Sequence, residues 1–127
     1  MINIGVLGST NGTDLQAVLD AVDNKIIDAS VNIVISNRKN AYILKRSAAR
    51  GVETSFVSQK NKTREEFDRE ITSLLKAHQV ELVLLIGFMK ILSQEFCNYW
   101  QDKILNVHPS LLPKYAGGID TNVHQEV

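Results

Sequence analysis

The sequence predicts an α/β fold: a mainly parallel sheet with helices on both faces, a Rossmann-like arrangement. Three observations carry this expectation. Short apolar runs alternate with amphipathic stretches in the order β-α-β-α-β-α-β-α-β, and parallel strands need such crossover helices. The run at residues 81–86 is apolar at every position after Glu81, the mark of a strand buried on both faces. Turn-forming Gly, Ser and Asn residues follow the first two runs, where a chain leaving a sheet must change direction.

Each element has its own signals. Residues 2–7 read as a first strand that ends in the turn Gly8-Ser9-Thr10-Asn11-Gly12. Thr13 or Asp14 is expected to cap the next helix, whose apolar positions Leu15, Val18, Leu19 and Val22 keep helical spacing. Residues 31–35 form a second strand with Ser36-Asn37-Arg38 as its exit turn, and a helix over 41–50 ends at Gly51. Residues 53–57 read as a third strand. Thr63 with Glu66 three positions on is a capping-box signature for a long helix running to about His78. Residues 81–86 are the fourth strand, Ser93 caps a short helix through Trp100, and residues 104–107 are the fifth strand. Residues 122–127 have helical spacing with no closing signal, so the chain is expected to stop inside an element, as a truncated single domain over 1–127.

Composition narrows the function. The 127 residues give room for one domain, and 44% hydrophobic with 22% charged residues is ordinary for a globular chain. Lys plus Arg and Asp plus Glu are 14 each, so no net field points to nucleic acid or an anionic membrane. The single cysteine, Cys97, leaves no internal disulfide and reads as a packed helical residue. No His, Cys and carboxylate spacing resembles a metal site. No secretory signal opens the chain and no apolar run spans a bilayer, so a cytoplasmic location is expected.

Three segments carry candidate chemistry. The turn at residues 8–14 joins a strand to a helix, and its backbone N–H groups with the helix dipole suit an anion; an ordinary βα turn is the alternative. Asp14 complicates an anion site there, because its own carboxylate can occupy the helix N-terminus. Gly87-Phe88-Met89-Lys90-Ile91-Leu92 follows the most apolar strand and offers surface for a flat heteroaromatic ring, unless these residues are core. Asn106 and His108 stand two apart at a strand end, so their side chains are expected on one face, with Pro109 ending the strand. Two polar residues facing solvent are the plainer reading. An amide that donates to a developing oxyanion, beside an imidazole that moves a proton, is the equipment of acyl transfer. His78 is expected at the surface, and His124 receives no role.

These segments, in this order, resemble the phosphoribosylglycinamide formyltransferase family, the folate-dependent enzymes of purine synthesis. The resemblance rests on Asn11-Gly12-Thr13-Asp14-Leu15-Gln16, on Thr63-Arg64-Glu65-Glu66-Phe67-Asp68, on residues 87–93, and on Leu105-Asn106-Val107-His108-Pro109-Ser110-Leu111-Leu112-Pro113-Lys114-Tyr115. It covers the chain and about the first two-thirds of a typical member. It implies transfer of a formyl group from 10-formyltetrahydrofolate, a co-substrate, to the amine of glycinamide ribonucleotide, on the route to IMP, without a metal. Carried across, Gly12, Thr13 and Asp14 bind the ribonucleotide. Arg64, Met89, Lys90, Ile91 and Leu92 contact the folate. Asn106 binds the formyl group and holds the oxyanion, and His108 is the proton donor.

The chain departs from the family pattern at four places. Thr13-Asp14 stands where Ser-Asn is frequent, Lys90 where Arg is common, and Ala116-Gly117-Gly118-Ile119 where Pro-Gly-Leu is familiar. The family's aspartate a few dozen residues beyond the histidine has no counterpart before Val127. The expected consequences are reduced activity at this length, and self-association that hides apolar surface left open at the end. Two other readings stand beside this one. A transfer-RNA formyltransferase should carry a basic nucleic-acid-binding domain, and a formyltetrahydrofolate deformylase an extra regulatory domain. A non-catalytic nucleotide- or folate-binding remnant is the third class.

Overall fold

In the computed structural model, which describes residues 1–107 and 119–120, strands and helices alternate through the fifth strand as the sequence predicts, and a short strand over Ile119–Asp120 is added that it does not. The strands are β1 (Ile2–Leu7), β2 (Ala29–Ser36), β3 (Thr54–Phe56), β4 (Leu82–Leu85), β5 (Ile104–Val107) and β6 (Ile119–Asp120). The helices are α1 (Thr13–Asp23), α2 (Tyr42–Ala49), α3 (Arg64–Ala77) and α4 (Gln94–Tyr99). The sheet order is β3-β2-β1-β4-β5-β6, parallel throughout except that β6 runs antiparallel to β5.

Alternation along the strands divides the core in two. Ile33, Ile35, Val83 and Leu85 face α3 and α4, where they meet Phe67, Ile71, Leu75, Phe96 and Trp100. Val34, Leu84 and Ile86 face the other way, onto Leu15 and Leu19 of α1 and Ile43 of α2. The continuous apolar pattern of β4 is thus explained by burial on both faces. Cys97 is buried, and that burial raises its thiol pKa, so it is the packed residue expected and a poor nucleophile.

The chain moves outward from β1 to β2 and β3, then crosses back to place β4 on the other side of β1. The order therefore reverses between β1 and β4. In open α/β sheets the crevice outside the carboxyl ends of such strands is where ligands bind. The segments leaving β1 and β4 are the first two of the three singled out above.

Two local expectations are corrected. Neither Thr13 nor Asp14 caps α1: the cap is Gly12, in the left-handed conformation at φ 72°, with no side-chain cap bond. His78 is half-buried rather than a plain surface residue. It caps α3, its carbonyl accepts from Asn32 Nδ2 at 2.8 Å, and its Nδ1 lies 2.9 Å from Leu74 O. The capping box of α3 is present as predicted: Thr63 Oγ1 accepts from Glu66 N at 3.0 Å, and Glu66 Oε1 accepts from Thr63 N at 2.7 Å. Among the described residues no helix is long and apolar enough to cross a membrane. The helix expected over 122–127, and the self-association expected at that end, lie outside the described residues.

Candidate active site

The first loop is built tightly. Gly12 must be glycine on two counts, because φ there is positive and an added Cβ would strike the Ile43 side chain. The amide of Ile43 donates to Thr10 O at 3.0 Å, and Arg46 Nε donates to Asn11 O at 2.9 Å while Nη1 reaches Gln16 Oε1. The loop is thereby seated on α2. Helix α1 begins with Leu15 N and Gln16 N both donating to Gly12 O. That leaves the amides of Thr13 and Asp14 with no acceptor among the described residues. Asp14 stands in the first turn, and burial raises its pKa. An open cleft of about 630 Å³ adjoins the loop, lined by Ser9, Thr10, Asn11, Arg38 and Lys39 among others. Neither of these two cations forms an ion pair among the described residues. The positive turn after β2 was missed as part of a site.

The second loop divides between surface and core. Met89 is 63% exposed and Ile91 52%, which removes the reading of these residues as core, while Phe88 and Leu92 lie partly against the buried cluster. Gly87, at φ 61°, faces Thr10 so closely that a Cβ would strike the Thr10 hydroxyl. Lys90 Nζ lies 4.8 Å from the centroid of the Phe67 ring, a cation–π contact. The second loop therefore rests on the first turn of α3, whose opening residue is Arg64. Lys90, on this loop, and Arg64, at the start of α3, both act on the Asp68 carboxylate, so the two segments lie near one another.

Asp68, within the 63–68 motif, was also given no role by the sequence. It is 2% exposed; its Oδ2 accepts from Ser93 N at 2.7 Å, and its Oδ1 finds no hydrogen-bond partner among the described residues. Burial raises its pKa above the ordinary 3.8, against the lowering pull of Ser93, Lys90 and Arg64. The folded chain therefore keeps this proton over a window in which the unfolded chain has lost it. Stability relative to Asp68→Asn is expected to fall as pH rises from the ordinary carboxylate range through the raised pKa, and then to level off. Urea unfolding of both proteins across that range tests this. A wild-type stability that rises with pH relative to Asp68→Asn would show that Ser93 and the two cations outweigh burial.

The third segment is described only to Val107. Asn106 is half-buried on β5, opposite Leu85 of β4 and Asp120 of β6. It thus stands at the carboxyl edge, one strand from the second loop. His108, and the expectation that it shares a face with Asn106, lie outside the described residues. Among those residues no group of three or more His, Cys, Asp or Glu is arranged to hold a metal ion.

Fold and loops together define a Rossmann-like α/β protein with the loops leaving β1 and β4 at the topological switch point. Comparison with known proteins narrows this class. The family model described as "Formyl transferase" matches residues 2–127. The chain is 40% identical over 117 residues to phosphoribosylglycinamide formyltransferase of Escherichia coli (strain K12), covering 91% of this chain and 55% of that protein. It is 42% identical over 117 residues to the trifunctional purine biosynthetic protein adenosine-3 of Drosophila melanogaster, covering 90% of this chain and 9% of that protein. The crystal structure of glycinamide ribonucleotide transformylase 1 from Symbiobacterium toebii superposes with a TM-score of 0.82 at 40% identity, over 91% of this chain and 55% of that one. The chain belongs to the formyl transferase family. It spans about half the length of the bacterial relatives it matches.

Proposed function

We infer that the chain carries the substrate-binding and reacting segments of a phosphoribosylglycinamide formyltransferase, moving a formyl group from 10-formyltetrahydrofolate to the amine of glycinamide ribonucleotide in purine synthesis. The observation that carries this reading is the meeting of the 8–14 and 87–92 loops at the switch point, in a chain 40% identical to a relative of that name. Gly12, Thr13 and Asp14 take the phosphoribosyl part through backbone N–H groups, with Arg38 and Lys39 adding positive charge nearby. Arg64, Met89, Lys90, Ile91 and Leu92 hold the folate, whose flat pterin suits an exposed apolar loop. The substrate amine attacks the formyl carbon, and the proton it then carries in excess passes to solvent. Asn106 donates to the oxygen that becomes negative. As the bond from carbon to the folate nitrogen breaks, His108 delivers a proton to that nitrogen. No metal takes part in this reading. Both partners are small molecules, with no nucleic acid or membrane, and the work is cytoplasmic.

A transfer assay with alternative acceptors tests this. Loss of 10-formyltetrahydrofolate is expected only when glycinamide ribonucleotide is present. Loss without any acceptor would identify a deformylase, and transfer to aminoacylated RNA would identify the transfer-RNA branch. Binding of both ligands with no turnover would identify a remnant. Gly12→Pro is expected to weaken ribonucleotide binding by about tenfold or more, because Pro cannot adopt φ 72° and the cap of α1 shifts. Unchanged affinity in a variant shown to be folded would remove the loop from the site.

A further inference from the structure

We propose that Ser9 is a positioning residue, whose hydroxyl locks the folate loop against the ribonucleotide loop. The inference rests on the formyl-transfer reading for the identity of its ligands. Ser9 is 2% exposed and sits in the turn after β1. Its hydroxyl donates to Asn37 Oδ1 at 2.6 Å and accepts from the amide of Met89 at 2.9 Å. Its own amide donates to Gly87 O at 3.1 Å. One residue therefore binds the second loop through two backbone groups. Asn37, in the turn after β2, extends the chain of bonds to Gln59 at 3.4 Å.

The polarity of this chain follows from chemistry. A serine hydroxyl has one proton, and an amide N–H can only donate. Acceptance from Met89 thus obliges Ser9 to donate elsewhere, and Asn37 Oδ1 is the acceptor in place. Donation to Asn37 polarises the hydroxyl and strengthens its acceptance from Met89. Met89 is largely exposed, so its side chain does little to anchor it, and its backbone is held here by Ser9. The close fit of Gly87 against Thr10 lets the two loops approach closely enough for the bridge to form.

The test uses the whole chain, with 5-formyltetrahydrofolate as the probe. Ser9→Ala is expected to speed hydrogen exchange at the Met89 amide by about tenfold or more. The same change is expected to lower affinity for 5-formyltetrahydrofolate by about five- to tenfold. Asn37→Ala, which leaves Ser9 in place, should move both quantities the same way but less, and it serves if Ser9→Ala does not fold. Unaltered exchange at Met89 would overturn the bridge. Faster exchange with unaltered affinity would overturn the positioning role and leave a structural one. Failure of the wild-type chain to bind the probe at all would overturn the formyl-transfer reading instead, and is distinguished because no substitution is needed to see it.

Discussion

His108→Ala is expected to lower the rate of formyl transfer by roughly 10²–10⁴-fold, the usual effect of removing a general acid. The folate nitrogen is a poor leaving group unless it gains a proton as the bond to the formyl carbon breaks. His108 is the titratable side chain that follows Asn106 at spacing two, and Asn106 stands at the carboxyl edge of β5 beside the strand that feeds the second loop. Because both ligands are assigned to other segments, the loss should fall on kcat, with KM for either substrate changed little. Steady-state kinetics of the two proteins measure this. Unchanged turnover would take His108 out of the reaction, and a loss confined to KM would make it a binding residue.

Phe67→Ala is expected to destabilise the chain by about 3–5 kcal/mol, the cost of emptying a large buried aromatic site. Phe67 has no exposed surface and lies in the cluster formed by Ile71, Leu75, Phe96 and Trp100. Its ring also faces Lys90, so the same change removes a support of the folate loop. Denaturant unfolding should show the full loss, and folate binding should weaken in conditions where the variant is still folded. A loss under about 1 kcal/mol would mean that the neighbours close over the gap, contrary to the tight core described here.

Phe67 lies in a helix that the sequence makes legible, and the contrast with features it does not is physical. Strands β1 and β5 and the capping box of α3 depend on residues close in the chain, and periodicity or a three-residue spacing reveals them. Ser9 and Met89 are 80 residues apart, and a hydroxyl in a Gly-rich turn gives no local sign that it will be buried. Asp68 follows Phe67 in α3 and reads as the polar side of an amphipathic helix. It is buried because α4 begins directly over it, with Ser93 N as its donor. The cap of α1 was misassigned for a similar reason. Thr13 and Asp14 have the right chemistry for a cap, but the crowding of Ile43 against the turn makes Gly12 the residue that fits. Arg46, which clasps Asn11 from α2, likewise becomes visible only when two distant elements are brought together.

The reading of this site depends above all on two loops receiving two different ligands. Amide chemical-shift mapping of the chain, titrated first with glycinamide ribonucleotide and then with 5-formyltetrahydrofolate, addresses that directly. The ribonucleotide should move the amides of Gly12, Thr13 and Asp14, and the folate those of Met89, Lys90, Ile91, Leu92 and Asn106. Shifts confined to other parts of the sheet, or none with either ligand, would show that this edge is not where the family's chemistry takes place in this chain.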